Sequence, residues 1–271
     1  MVNLNDNNEI AVFEGDEYLS SPIDLRPKFH WYKPDIAVIT GIAWDHINVF
    51  PSFEKYLEQF DIFIKSVNYS GELFWYKHDE NIKKLVYDNP HINSSPYAEM
   101  EHSIDTDGSV VIEYKGQNYK LNIFGKHNLE NLNAAFLICK TLGISKEQFL
   151  SHIRGFAGAA RRLQLLAENK STQIFLDFAH APSKVAATVA ALREKASDRK
   201  LVACLELHTF SSLKKEFLPH YKNTMQYADL PIVYFNPEVI EHKKLEPIEE
   251  DFVRDCFGEK TIIFTETKDL H

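Results

Sequence analysis

Apolar positions in the first part of the chain follow two different periods, and each period predicts its own kind of element. The apolar runs at 10–13 and 36–40 are short and predict strands. After Ser52, whose hydroxyl suits a helix N-cap, apolar residues at three- and four-residue spacing predict a helix over 53–67. The first part of the chain is therefore expected to mix strands with helices.

The middle of the chain is expected to contain short strands and then one long helix. Polar turns over 72–124 separate short apolar runs and predict a β-hairpin at 110–124. A helical pattern follows at about 128–142, and it places Leu142 on the side that faces the core. Gly143 is the expected stop signal of this helix.

A regular alternation of strands and helices begins after a second, shorter helix. Ser145 and Gln148 form a capping-box signal for that helix, which is expected to reach Phe156, and glycines then mark a domain boundary close to residue 160. Helices between strands are typical of βαβ units, so the predicted fold class is α/β with a mainly parallel sheet in the last part. The predicted strands there are 173–177, 201–206, 231–235 and 260–264, and the predicted helices are 182–196, 212–227 and 248–256.

Composition narrows the class of protein. The 271 residues are 44% hydrophobic, which is enough for a large core and favours two domains. The net charge of −9 argues against a nucleic-acid-binding surface, and no apolar run approaches the length of a membrane helix. Three cysteines without a CxxC spacing, and an N-terminus without a basic segment followed by an apolar core, predict a reducing cytoplasm without disulfides, zinc or a signal peptide.

Two acidic and histidine-containing segments follow the first two predicted strands. Glu14 ends the first strand, and Asp45 with His46 comes just after the second. Ligands of α/β proteins collect at the carboxyl ends of strands, so Glu14 and His46 are candidates to share a divalent cation. Imidazole is an unusual ligand for Mg²⁺ and is a better ligand for Mn²⁺. A solvated acidic turn with a structural histidine explains the same pattern, and the residues alone leave this choice open.

Further candidates stand at the head of the long helix and around residue 160. His127 and Asn131 lie one helical turn apart and can together contact a heteroaromatic base, although a plain helix cap by Asn128 is the simpler interpretation. Arg162 next to the boundary suits a phosphate. The remaining candidates are Asp177 for ribose hydroxyls and His180 for an anion near a helix start. A surface arginine pair and ordinary capping chemistry remain the alternatives.

Taken together, the segments resemble those of the Mur ligases, the ATP-dependent amide-forming family of peptidoglycan synthesis. They occur in the family's order and approximate spacing. The matching segments are Glu14-Gly-Asp-Glu-Tyr18, Thr40-Gly-Ile-Ala-Trp-Asp-His46, Gly125-Lys-His-Asn-Leu-Glu-Asn131, Gly158-Ala-Ala-Arg-Arg-Leu-Gln164 and Asp177-Phe-Ala-His-Ala-Pro182.

The resemblance implies a division of the chain and a reaction. Residues 1–160 would be the later part of the central ATPase domain, and 161–271 a Rossmann-like, acceptor-binding domain that is incomplete at its C-terminus. ATP would phosphorylate the carboxylate of UDP-N-acetylmuramate, and an amine would displace the phosphate. No GxxxxGK[ST] phosphate loop occurs in the sequence, so we expect the chain to be part of a longer enzyme and inactive alone.

The resemblance also assigns roles to individual residues. It makes Glu14 and His46 ligands of Mg²⁺, or of Mn²⁺, and includes both among the catalytic residues. The catalytic set is completed by two residues from the second half of the chain, Arg162 and His180. ATP would be bound by His127, Asn131, Arg162 and Asp177.

The acceptor is the least defined part of the resemblance. Residues 16–34 are most similar to the branch of the family that attaches a preformed cell-wall tripeptide, with the alanine-adding branch as the alternative. Gly41, Ala43 and Ala181 depart from the family's usual Asn, Glu and second His. A non-catalytic nucleotide-binding module of the same fold stays open. No membrane or nucleic-acid partner is expected, and the sequence leaves the oligomeric state undetermined.

Overall fold

The computed structural model describes residue 5 and residues 7–270, without the side chains of residues 269 and 270. The α/β fold class is confirmed. In chain order the strands and helices are β1 (Leu19–Ser21), β2 (Asp24–Pro27), β3 (Ile36–Ile39), α1 (Phe53–Ser66), β4 (Glu72–Tyr76), α2 (Glu80–Asp88), β5 (Ser94–Tyr97), β6 (Ser103–Ile104), β7 (Val110–Tyr114), β8 (Gln117–Leu121), α3 (Lys126–Thr141), α4 (Lys146–Ile153), β9 (Gln164–Glu168), β10 (Gln173–Leu176), α5 (Pro182–Lys195), β11 (Val202–Glu206), β12 (Leu230–Tyr234), α6 (Pro237–His242), α7 (Glu250–Phe257) and β13 (Ile262–Phe264).

The chain divides into two compact units, Met1–Pro96 and Tyr97–His271. The functional boundary predicted near residue 160 falls inside the second unit, and that division stays a prediction. Within the described residues, no helix is both long enough and apolar enough to cross a membrane.

The first unit is organised around the three-stranded sheet β3–β4–β5, in which β3 and β4 run parallel. The predicted helix after residue 52 is confirmed as α1, and the Ser52 hydroxyl accepts a hydrogen bond from the Lys55 N–H at its N-terminus. Ile64 of α1, Leu73 of β4 and Ile82 of α2 are completely buried in the shared core. This packing fixes the loop that leaves β3.

Helix α2 was not predicted, although the sequence carries its signal. Asp79 is its N-cap, and the carboxylate accepts hydrogen bonds from the N–H groups of Asn81 and Ile82. The other carboxylate oxygen accepts from Ile42 N–H at 2.7 Å. Because Ile42 lies in the loop after β3, one side chain joins the start of α2 to that loop.

The second unit begins with the antiparallel strands β6, β7 and β8, and the predicted hairpin is confirmed with its second strand at Gln117–Leu121. Helix α3 buries Leu129 and Leu132 against these strands. The capping box of Ser145 and Gln148 is present, although α4 ends at Ile153 and not at Phe156. The prediction that Leu142 faces the core is wrong, because α3 ends at Thr141 and Leu142 is 41% exposed.

The last part of the second unit contains the parallel sheet β11–β12–β13, in agreement with the prediction for those strands. The predicted strand at 173–177 behaves differently. As β10 it pairs antiparallel with the unpredicted β9 and forms a separate two-stranded ribbon. Apolar side chains of this ribbon, among them Leu166 and Ile174, are exposed to solvent.

Two predicted elements are wrong. Residues 10–13 form no strand, and Val12 is 91% exposed. A strand needs a neighbouring strand for its backbone hydrogen bonds, and the described part of the chain supplies none for this segment. The predicted helix at 212–227 is replaced by turns and a short 3₁₀ segment, Leu218–Tyr221. Pro219 lacks an N–H group and restricts the residue before it, and Asn223 adopts a positive φ of 65°.

Candidate functional site

The Asp45–His46 turn after β3 has a tightly defined main chain. His46 adopts a left-handed φ of 54°, and its N–H donates to the Asp45 carboxylate at 2.7 Å. The His46 carbonyl in turn accepts hydrogen bonds from the N–H groups of Val49 and Phe50. Asp45 is 6% exposed. A non-glycine residue in this conformation is typical of functional loops, where the surrounding structure holds the strain.

The carboxylate found beside His46 is that of Glu17. His46 Nε2 lies 3.4 Å from Glu17 Oε1, and the Tyr56 hydroxyl donates to the same oxygen at 3.2 Å. Burial, followed by the Glu17 charge, raises the pKa of Tyr56 above its usual range, so this phenol is a neutral donor. Glu14 lies three residues before Glu17 in the sequence, and its side chain is exposed to solvent. That Glu14 and His46 share a cation stays a prediction.

The segment that carries Glu17 is anchored by an ion pair. Lys28 Nζ lies 2.6 Å from Asp16 Oδ2. Burial would raise the pKa of Asp16, but hydrogen bonds from Lys28 and from Tyr18 N–H hold it below its usual value. Among the described residues, no group of three or more His, Cys, Asp or Glu side chains is arranged to hold a metal ion.

In the second unit, the structure brings His127 of α3 into the electrostatic reach of Asp177, which follows β10. Burial lowers the pKa of His127, while the Asp177 carboxylate acts in the opposite direction. Asp177 accepts hydrogen bonds from the Phe178 N–H and from the Thr188 hydroxyl. Asn131 lies one turn after His127 on the exposed side of α3. His127 is therefore held neutral near pH 7 beside an anchored carboxylate.

Arg162 lies against the segment that follows β10. Its guanidinium carbon is 5.2 Å from the centre of the Phe178 ring, and the Arg161 carbonyl accepts from the Phe178 N–H at 2.8 Å. Arg161 and the buried Leu163 both have positive φ, at 60° and 45°. The strained turn 161–163 thus holds Arg162 against Phe178, the residue after Asp177.

His180 lies directly before the N-terminus of α5. Its Nδ1 is 3.0 Å from the Phe178 carbonyl, and its own carbonyl accepts from the Tyr221 hydroxyl at 2.5 Å. The imidazole ring of His208 is 6.2 Å away, centre to centre. The N-cap of α5, Ala181, provides no side-chain hydrogen bond, and Pro182 has no N–H group, so Ser183 and Lys184 carry the first N–H groups that can face an anion.

The sequence profile of the Mur ligase middle domain matches residues 2–139 of this chain, which is about half of its length. The chain belongs to the Mur ligase family. Sequence relatives include the UDP-N-acetylmuramate–L-alanine ligase of Streptococcus pneumoniae strain CGSP14, which is 29% identical over 249 residues. That match covers 87% of this chain and 54% of the relative, so the chain spans about half the length of such relatives.

Solved Mur ligase structures share the fold. A murein peptide ligase from Psychrobacter arcticus 273-4 has a TM-score of 0.60 and 19% identity, covering 99% of this chain and 58% of that one. MurF ligase from Thermotoga maritima, solved in complex with ADP, has a TM-score of 0.63 and 19% identity, covering 88% and 55%. At these identities the likeness supports the fold alone.

Sequence reasoning about this Mur ligase missed Glu17, Tyr56 and Asp79 as parts of the site. Tyr56 has the spacing of a core residue, so nothing in its pattern reveals the hydrogen bond to Glu17. Asp79 could have been found, because an aspartate before a helical pattern is a standard N-cap signal. Glu17 lies within the quoted acidic segment, but the resemblance directs attention to Glu14.

The lowered pKa of His127 predicts a pH dependence of stability in this Mur ligase chain. The unfolded state binds the proton below about pH 6.5, while the folded state resists it until lower pH, so the free energy of unfolding falls as the pH drops through this window. His127→Gln should remove this contribution. Urea unfolding at pH 7.5 and 5.5 measures it, and an equal acid-induced loss in the variant and the parent would contradict the assignment.

Proposed function

We propose that this chain carries the metal- and nucleotide-binding residues of a cytoplasmic, ATP-dependent ligase that joins UDP-N-acetylmuramate to an amino acid or a short peptide. Membership of the Mur ligase family supports the reaction class. The observation that carries the nucleotide assignment is that Asp177 lies within electrostatic reach of His127, although the two residues are distant in sequence and were assigned to the same ligand. In this proposal ATP phosphorylates the muramyl carboxylate, and the acceptor amine then displaces the phosphate.

The donor set of the second unit fits a nucleotide. A neutral imidazole at His127 and the exposed amide of Asn131 can hydrogen-bond a heteroaromatic base. The Asp177 carboxylate can accept from ribose hydroxyl groups, and the Arg162 guanidinium, which lies over the Phe178 ring, can face phosphate oxygens. His180, before the uncapped start of α5, offers a further donor for an anion.

The donor set of the first unit fits a cation that is held only in part by protein ligands. Mg²⁺ typically keeps several water ligands and takes one or two carboxylates together with substrate phosphates. Glu14 and His46 would supply the protein ligands in this arrangement, and no complete protein cage is required. When bound, the cation neutralises charge on the transferring phosphoryl group. The turn at Asp45–His46 keeps the imidazole in a fixed position for this purpose.

The nucleotide assignment predicts weaker ADP binding after single substitutions. Asn131→Ala and Asp177→Ala each remove hydrogen bonds of about 1 kcal/mol, so each should weaken ADP affinity about five-fold or more. Calorimetric titration of the 271-residue chain measures this. Asn118→Ala on the exposed β8 is the matched control and should bind ADP like the parent. Parent-like binding by both site variants would contradict the assignment.

For the acceptor, we propose the preformed tripeptide L-Ala-γ-D-Glu-meso-diaminopimelate, because residues 16–34 resemble the tripeptide-attaching branch. L-Alanine is the second candidate, and the similarity to the UDP-N-acetylmuramate–L-alanine ligase of Streptococcus pneumoniae supports it.

The acceptor proposal predicts a kcat/KM at least about ten-fold higher for the tripeptide than for L-alanine, since specificity between acceptors resides in that ratio. The measurement is a competition assay with UDP-N-acetylmuramate and ATP, in an enzyme that combines this chain with a domain carrying a phosphate loop. A ratio in favour of L-alanine would reassign the acceptor and leave the nucleotide proposal intact.

A further inference from the structure

The Asp177 carboxylate is joined to helix α5 by the hydroxyl group of Thr188. This hydroxyl donates to Asp177 Oδ2, while Asp177 Oδ1 accepts from the N–H group of Phe178 at 2.7 Å. Because a carboxylate oxygen has two lone pairs, both oxygens keep the capacity to accept from a ligand. The bond from Phe178 is local to the loop, so it is the bond from Thr188 that ties the carboxylate to a packed helix.

The same face of α5 also approaches the start of α3. Ala191 lies three positions after Thr188, so the two side chains share one face of the helix. A β-carbon on Gly125 would lie 2.5 Å from the β-carbon of Ala191, which shows how closely the N-terminus of α3 approaches this face. His127 follows in the first turn of α3. Helix α5 therefore supports both His127 and Asp177, the two residues assigned to one nucleotide.

The packing of α5 in this region also involves side chains other than Thr188. Phe124 directly precedes the N-cap of α3, and its ring centre is 5.9 Å from that of Phe175 in β10. Lys195 Nζ, at the end of α5, lies 4.5 Å from the centre of the Phe124 ring. Since these contacts already join the three elements, the loss of the Thr188 hydroxyl should release the carboxylate without separating the helices.

We propose that Thr188 is a positioning residue of the nucleotide site: its hydroxyl orients the Asp177 carboxylate toward the ribose hydroxyl groups of a nucleotide. This inference rests on the proposed function, in which Asp177 binds ribose. A side chain that binds a ligand keeps its productive rotamer when packing and neighbouring hydrogen bonds hold it. Without the Thr188 hydroxyl, the carboxylate rotates among several conformations and binds ribose less well.

Calorimetric titration of the 271-residue chain with ADP tests the inference. Thr188→Val keeps the branched shape of the side chain without its hydroxyl, and it should weaken ADP affinity about three-fold or more. Thr188→Ser keeps the hydroxyl and should bind ADP like the parent. Thr141→Val is the matched control, because the Thr141 hydroxyl donates to a main-chain carbonyl within α3, and it should also bind like the parent. If Thr188→Val does not fold, Thr188→Ala takes its place beside Thr188→Ser.

Two further measurements separate this role from a merely structural one. With 2′,3′-dideoxy-ADP, which lacks both ribose hydroxyl groups, Thr188→Val should bind like the parent. In the Asp177→Ala background, adding Thr188→Val should cause no further loss of ADP affinity, because residues that act through one another are not additive. An equal loss for ADP and dideoxy-ADP, or an undiminished loss in the Asp177→Ala background, overturns the inference.

The failure of this inference is distinguishable from the failure of the proposed nucleotide site. If the parent does not bind ADP, or if Asp177→Ala binds it like the parent, the assignment of Asp177 is wrong and the role of Thr188 falls with it. If Asp177→Ala loses affinity while Thr188→Val keeps it, the nucleotide site stands and the positioning role alone is overturned.

Discussion

Replacing Gly125 with alanine is expected to lower the free energy of unfolding of the second unit by about 2–4 kcal/mol. Gly125 precedes α3 with a φ of 84°, a conformation that alanine adopts only with strain. A β-carbon at this position would also lie 2.5 Å from the β-carbon of Ala191 in α5 and 3.3 Å from Cε1 of His127. The helices would have to separate, because the β-carbon of Ala191 cannot rotate away, whereas the His127 ring can shift.

Gly116 provides the matched control for this substitution. It has a similar φ of 74°, but a β-carbon there would meet no atom within 4 Å. Gly116→Ala should therefore cost only the backbone strain, about 1 kcal/mol. Urea unfolding of both variants separates strain from crowding, and equal losses at the two positions would show that the close approach of α3 and α5 is not tightly packed. Gly125→Ala should also displace His127, so its ADP affinity is worth measuring beside its stability.

Asp79→Ala is expected to destabilise the first unit by about 2–4 kcal/mol, from two separable causes. The N-cap hydrogen bonds to α2 are lost, which typically costs about 1 kcal/mol. The Ile42 N–H also loses its 2.7 Å acceptor, and an unsatisfied buried N–H group costs about 1–3 kcal/mol more, since Ile42 is 5% exposed. Thermal and urea unfolding report the sum.

Ser145, an N-cap in the second unit, provides a reference for the stability loss expected at Asp79. Ser145 caps α4 in a capping box and has no hydrogen bond to another element in the described structure, so Ser145→Ala should cost only about 1 kcal/mol. Asp79→Asn keeps one acceptor oxygen and should lie between the parent and Asp79→Ala. If Asp79→Ala costs no more than Ser145→Ala, the bond to Ile42 does not contribute to stability.

Sequence signals within a single segment correctly predicted the helices that such signals are sufficient to form. Helix α1 follows from its apolar period and from Ser52, and α4 from its capping box, since both signals lie within the element itself. The segment 10–13 has the apolar content of a strand, but a strand depends on a partner that the pattern of one segment cannot reveal. Residues 212–227 have an apolar period that favours a helix, but Pro219 lies within this segment and a helix interior does not accommodate proline.

The sequence alone does not show which candidate site residues lie together, and their assignment to one ligand comes from the family resemblance. His127 and Asp177 are distant in sequence, and the resemblance assigned both to the nucleotide. The contact of Tyr56 with Glu17 spans 39 positions and depends on how α1 packs under the acidic segment. Pairings of this kind arise from tertiary packing, so the residue types and their spacing could not indicate them.

The exposed apolar ribbon of β9 and β10 has a consequence for the colloidal behaviour of the chain. Both strands expose apolar side chains and have unpaired edges, which are templates for pairing with another copy. The exposed side chains are Leu165, Leu166, Ile174 and Leu176. At pH 7 the charge of −9 on each molecule opposes such encounters by mutual repulsion. Near the isoelectric point of about 5.7 this repulsion vanishes, so precipitation through the ribbon sets a lower pH limit for concentrated solutions.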